Sequence, residues 1–139
     1  MSDSTALPDS ILSHVSLGTN DYPRAKAFYD QVLATLQIPC AMEFPGAAGY
    51  GRKFPEFWIQ HPHDGGQAGT GNGVHVAFLA NSAEEVKAFH AKALSLGAQD
   101  DGAPGLRPDY DKQYYAAFVR DLDGHKIEAM LMLPEGQQA

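Results

Sequence analysis

Sliding the chain against itself by 61 residues sets His14-Val15-Ser16-Leu17 on His75-Val76-Ala77-Phe78 without a gap. The same offset pairs Asn20 with Asn81, Lys26 with Lys87, Ala27 with Ala88, Phe28 with Phe89 and Leu33 with Leu94. These matches take in a strand, a helix start and an apolar helix face together, which marks a duplicated supersecondary unit. A chain of 139 residues has the length of one domain, so the expectation is a single domain built from two copies of one unit.

Each copy opens with a period-2 segment. Leu12, His14 and Ser16 share one face and Val15 and Leu17 the other, and Val74, Val76 and Phe78 repeat the alternation around His75. Both histidines are therefore expected to point away from the apolar face. A helix follows, capped by Asp21 in the first copy and by Ser82 in the second, where Ser82 and Glu85 have capping-box spacing. The first helix presents Ala25, Phe28, Val32, Leu33 and Leu36, the second Val86, Phe89, Ala93 and Leu94, each an apolar stripe destined for the core. Gly97 is expected to end the second helix.

Short β-rich runs come next: Tyr50 to His61 in copy one, Tyr114 to Arg120 and Lys126 to Leu133 in copy two. The last two are joined by Asp121-Leu122-Asp123-Gly124, a hairpin-turn composition. The glycine-rich stretch from Asp64 to Gly73 reads as a flexible connector, and the Pro- and Gly-containing segment from Asp101 to Asp111 as an irregular loop. Module one is thus placed at about residues 11–63, the linker at 64–73 and module two at 74–134.

Net charge is −7 and no Lys/Arg cluster breaks the acidic balance, so nucleic acid is not an expected partner. Cys40 is the one cysteine, which excludes an internal disulfide and a cysteine-based zinc site. The stretch from Met1 to Ser13 has neither the basic start nor the apolar run of a secretory signal and reads as a short leader. No segment approaches the roughly 20 apolar residues needed to span a bilayer. A cytoplasmic protein without a membrane partner is expected.

On the last strand Lys126, Glu128, Met130 and Met132 share one face, which puts Glu128 among apolar neighbours. A carboxylate so placed needs a cation or strong donors, because an unpaired buried charge is very costly. Two neutral imidazoles at equivalent points of a duplicated unit, joined by that carboxylate, would form a divalent-metal site with open positions. The expected ligands are His14, His75 and Glu128.

These features resemble the vicinal oxygen chelate superfamily, which groups glyoxalases, thiol transferases, extradiol dioxygenases, epimerases and bleomycin-resistance proteins. The resemblance rests on His14 to Leu17 with Ala27-Phe28-Tyr29 and Leu33, on Gly73 to Phe78, and above all on Phe118 to Glu128. It implies an α+β fold in which two βαβββ modules form a curved mixed sheet around a central cup. It also implies that His14, His75 and Glu128 bind a divalent metal, with Fe, Mn, Ni and Zn all open.

Family members with a fourth ligand carry it on the last strand of module one. Internal alignment of Ile59-Gln60 with Ile127-Glu128 puts Gln60 there, whereas counting back from Pro62 puts Trp58 there. The implied activity is that of a metal-dependent lyase, isomerase or dioxygenase that chelates a small oxygen-rich substrate. Glu128 is the candidate catalytic base, with His61 as alternative. Trp58, Gln60, Arg107, Tyr115 and Met130 are candidate substrate contacts, Arg107 as a clamp for an anionic group. The other reading is a metal-free protein that sequesters a small aromatic or apolar ligand, as bleomycin-resistance proteins do. The resemblance also implies a homodimer, with the cup built within one chain or across two. His61, His63, His90 and His125 are expected to face solvent.

Overall fold

The computed structural model describes residues 9–135; the first part of the expected leader lies outside them. In chain order the elements are β1 (Val15–Gly18), α1 (Tyr22–Ala34), β2 (Cys40–Phe44), β3 (Ala47–Tyr50), β4 (Phe57–Gln60), β5 (His75–Leu79), α2 (Ala83–Ser95), β6 (Gln99–Leu106), β7 (Tyr114–Arg120) and β8 (Lys126–Met132). They form two four-stranded sheets of the same topology, β1-β4-β3-β2 and β5-β8-β7-β6. In each, the first strand runs parallel to the last and the remaining pairs are antiparallel. The fold is α+β with two βαβββ modules, as the duplication requires.

Both helices start where their caps predict: Asp21 accepts from the Arg24 amide at 3.2 Å and Ser82 from the Glu85 amide at 3.2 Å. Their apolar stripes enter one core together with Tyr50, Phe57, Phe78, Val119 and Ile127. Leu94 departs from the expectation, standing 37% exposed at the edge of its stripe. Gly97 takes a positive φ of 104°, as a residue just past a helix end does.

Three parts of the chain differ from the expectation. The segment expected as an irregular loop from Asp101 is mostly β6, an edge strand whose register shifts twice between Asp100 and Gly105. Pro104 is tolerated there because an edge strand has one side that pairs with nothing. Strand β2 was not anticipated, since all five of its residues are exposed and show no alternation. The connector is tied down: Ala68 N donates to Asn20 Oδ1 at 2.7 Å and Asn20 Nδ2 to the Ala68 carbonyl at 3.2 Å.

The modules are joined by polar contacts at the C-terminal ends of the two first strands, β1 and β5. Asp121 in the β7–β8 turn accepts from the Tyr29 hydroxyl and from the amides of Asp123 and His125 at 2.9 Å each. His125 Nε2 donates to the Gly18 carbonyl at 2.7 Å, and Asn20 N donates to Asp123 Oδ1 at 3.0 Å. At the end of β5 Arg52 Nη2 donates to the carbonyls of Leu36 and Leu79 at 2.7 and 3.0 Å. His125 is therefore buried rather than solvent-facing, and His90 is buried too, against Asp100 Oδ1 at 2.9 Å. That hydrogen bond, with one from the Gly102 amide, holds the Asp100 carboxyl below its usual pKa.

Candidate metal and substrate site

Strand β8 lies between β5 and β7, so alternate residues of all three strands share a face. Register puts Ala77 and Phe118 on either side of Glu128, His75 beside Lys126, and Tyr114 beside Met132. Glu128 is only 1% exposed although it stands on this outward face. Both of its oxygens are engaged. His75 Nε2 lies 3.0 Å from Oε1, and the Tyr114 hydroxyl donates to Oε2. Burial, followed by that bond to Glu128, raises the Tyr114 phenol well above the usual tyrosine value.

The spacing of His75 and Glu128 bears on a metal. A histidine nitrogen and a carboxylate oxygen bound at about 2.1 Å to one cation, at right angles, stand roughly 3.0 Å apart. At 3.0 Å the two atoms are in hydrogen-bond contact, a separation that adjacent ligands of one cation share, and imidazole plus carboxylate suits several divalent metals. His14 does not join them. It is exposed just before β1, with Nδ1 2.9 Å from Ser13 Oγ. It and His75 both line a cavity of about 530 Å³ between β1 and β5, together with Arg52, Phe57 and Phe78. Among the described residues no group of three or more His, Cys, Asp or Glu is placed to share a cation. The structure brings two of the three expected ligands together within one chain.

Strand pairing also bears on the fourth position. Ser16 pairs with Trp58 as its repeat equivalent Ala77 pairs with Glu128, while Gly18 with Gln60 matches Leu79 with Met130. Trp58 therefore occupies the place in module one that Glu128 occupies in module two, and Gln60 that of Met130. The indole lies over Gly49, where an added Cβ would come within 2.7 Å of its ring, and stacks on Phe44 with 6.0 Å between centroids. At this position the outward face of module one carries an indole where that of module two carries a carboxylate.

Of the other candidates, Met130 is half-buried on the Glu128 face. Arg107 follows β6 directly, its guanidinium carbon 5.3 Å from the centre of the Phe118 ring. Tyr115 is misassigned as a substrate contact: it is 3% exposed in the core, on the opposite face of β7 from Tyr114. His61 is exposed beside the Tyr22 ring, at 6.1 Å between centroids. Tyr114, Phe118 and Lys126 are the residues that sequence reading missed. The alternation of β7, taken in register with β8, is the signal that carries the first two.

The family model described as Glyoxalase/Bleomycin resistance protein/Dioxygenase superfamily matches residues 11–129. The chain belongs to this superfamily. A glyoxalase/bleomycin resistance protein from Albidiferax ferrireducens is 37% identical, with 87% of this chain and 98% of that one covered at a TM-score of 0.79. A glyoxalase/bleomycin resistance protein/dioxygenase family enzyme from Burkholderia phytofirmans has 20% identity, coverages of 89% and 100%, and a TM-score of 0.68. A lactoylglutathione lyase from Agrobacterium tumefaciens has 18% identity, coverages of 88% and 93%, and a TM-score of 0.62. The last two are similar in fold alone. No curated protein matches the chain. Superfamily members bind small molecules and commonly use divalent metals.

Proposed function

We propose that this superfamily member is a divalent-metal-dependent enzyme that takes a small oxygen-rich substrate through two neighbouring oxygens. The observation that carries the reading is the His75–Glu128 pair, a buried carboxylate 3.0 Å from an imidazole nitrogen. A bound cation would act there as Lewis acid on developing oxyanion charge. His75 and Glu128 would hold it, and Glu128, if only weakly bound to the cation, would also serve as the base that moves a proton next to the substrate carbonyl. Tyr114 keeps the carboxylate oriented through its hydroxyl. The donors suit Fe, Mn, Ni or Zn.

His14 completes the set in a homodimer, from a second copy of the chain. Exposed Met42 and Phe44 on the edge strand β2, with Phe44 stacked on Trp58, support such pairing, since apolar side chains grouped on a sheet mark a surface made to be covered. A reducing, cytoplasmic setting accords with the exposed thiol of Cys40.

The test is elemental analysis of purified protein, with calorimetric titration of Mn(II), Fe(II), Ni(II) and Zn(II) into chelator-treated wild type and Glu128→Gln. Near-stoichiometric binding by wild type, weakened at least about tenfold in the variant, is expected. Absence of binding by wild type overturns the metal reading in favour of a ligand-sequestering protein. Among the described residues no helix is long and apolar enough to cross a membrane.

A further inference from the structure

A group of cations gathers around Phe118, the β7 residue beside Glu128: Lys126 on β8, Arg120 on β7 and Arg107 just past β6, in a chain whose net charge is −7. Phe118 pairs across the ladder with Glu128 on one side and with Gly102 of β6 on the other. Its ring carries two positive charges, the Arg107 guanidinium at 5.3 Å and Lys126 Nζ at 5.0 Å from its centre. Arg120 lies beside Lys126, and Asp101 is shared between them, at 3.1 Å from Arg120 Nε and 3.7 Å from Lys126 Nζ. Arg107 has no carboxylate partner among the described residues. Its charge is met by the Ala103 carbonyl, 2.6 Å from Nη2, and by the Leu106 carbonyl, 3.4 Å from Nη1.

Local backbone is arranged to permit this. Gly102 has φ 153°, and a Cβ there would lie 2.9 Å from Phe118 Cδ1 and 3.1 Å from Arg107 Nη2. A side chain at 102 would thus push the guanidinium and the ring apart. Without that side chain Arg107 folds back along β6, its guanidinium donating to the Ala103 and Leu106 carbonyls. A guanidinium has five N–H donors, and two accepting carbonyls leave donors for an incoming group. Held over an aromatic face, with its own charge unmatched by a resident carboxylate, it is set to receive an anion.

We propose that the substrate carries a carboxylate or phosphate group, which Arg107 and Lys126 hold beside Phe118, one strand away from Glu128. This deepens the function proposed above and rests on Glu128 marking the reacting end of the site. The two cations then set substrate orientation: the anionic group is anchored over β6 and β7, and the neighbouring oxygens are directed toward His75 and Glu128.

The experiment follows the backbone amide resonances of Gly102 and Gly105 while glycolate, inorganic phosphate or neutral ethylene glycol is titrated. It uses wild type, Arg107→Gln and Lys126→Gln, each both chelator-treated and metal-loaded. Saturable shifts with glycolate or phosphate but not with ethylene glycol are expected, with dissociation constants at least about fivefold higher in each variant. Preference for glycolate identifies a carboxylate, and preference for phosphate a phosphate ester. Absence of saturable shifts in wild type, or equal affinities in wild type and Arg107→Gln, overturns the proposal. The chelator-treated arm reads the anion site without any metal. Failure of metal binding and failure of anion binding are therefore seen separately, and dispersion of the amide spectrum reports folding of each variant.

Discussion

Glu128 is legible in the sequence because a carboxylate interrupts an otherwise apolar strand, and burial without donors would be prohibitive. Its donors are less legible. Tyr114 and Tyr115 are neighbours of the same type, and in a strand one step along the chain reverses the face. Only the pairing of β7 with β8 shows that Tyr114 reaches the carboxylate and Tyr115 the core. Replacing Tyr114 by Phe keeps the ring and deletes the hydroxyl, leaving Glu128 Oε2 without its donor. The variant should lose about 1–3 kcal/mol of stability in urea denaturation, and a midpoint equal to wild type would show that this hydroxyl contributes nothing. His14 and His75 illustrate a different limit. The repeat identifies them as equivalent positions, but equivalence within two modules does not say whether the modules of one chain bring them to one point.

Among the elements, helices read best because caps and apolar stripes are local signals. Ser82 caps α2 as its spacing predicts, yet Glu85 Oε1 accepts from the Asn81 amide at 2.8 Å, one residue before the cap. Ser82→Ala is expected to cost about 1 kcal/mol, read as a lowered thermal midpoint with unchanged far-ultraviolet dichroism. Edge strands read worst. Strand β2 carries no alternation because neither of its faces is covered in the chain, and β6 hides behind Pro104, Gly102 and Gly105, residues that ordinarily signal a loop. Those same residues bring Arg107 over Phe118, so a clamp residue that the sequence does name meets its aromatic partner only through an irregular strand. The connector also read as more mobile than it is, because one asparagine 48 residues away closes two hydrogen bonds to Ala68.

For the whole molecule, tyrosines dominate the alkaline behaviour. Burial is the leading cause that raises Tyr29, Tyr50 and Tyr114 above the ordinary 10.0, and it pushes Tyr22 up to about 12. The folded state therefore keeps protons that the unfolded chain releases near pH 10, and stability must fall as pH rises beyond that point. The urea midpoint should be flat up to about pH 9.5 and decline above about pH 10; a midpoint independent of pH there would contradict the burial of these phenols. The proposed homodimer is tested at this scale too. Sedimentation equilibrium should give twice the chain mass of 15.0 kDa, and Phe44→Glu, on the exposed β2, should return it to a single copy. Trp58, half-buried over Gly49 and stacked on Phe44, is the only tryptophan of the chain. The molecule thus has a built-in optical reporter: excitation at the red edge of protein absorbance addresses one indole, and its emission registers whatever arrives to cover that sheet.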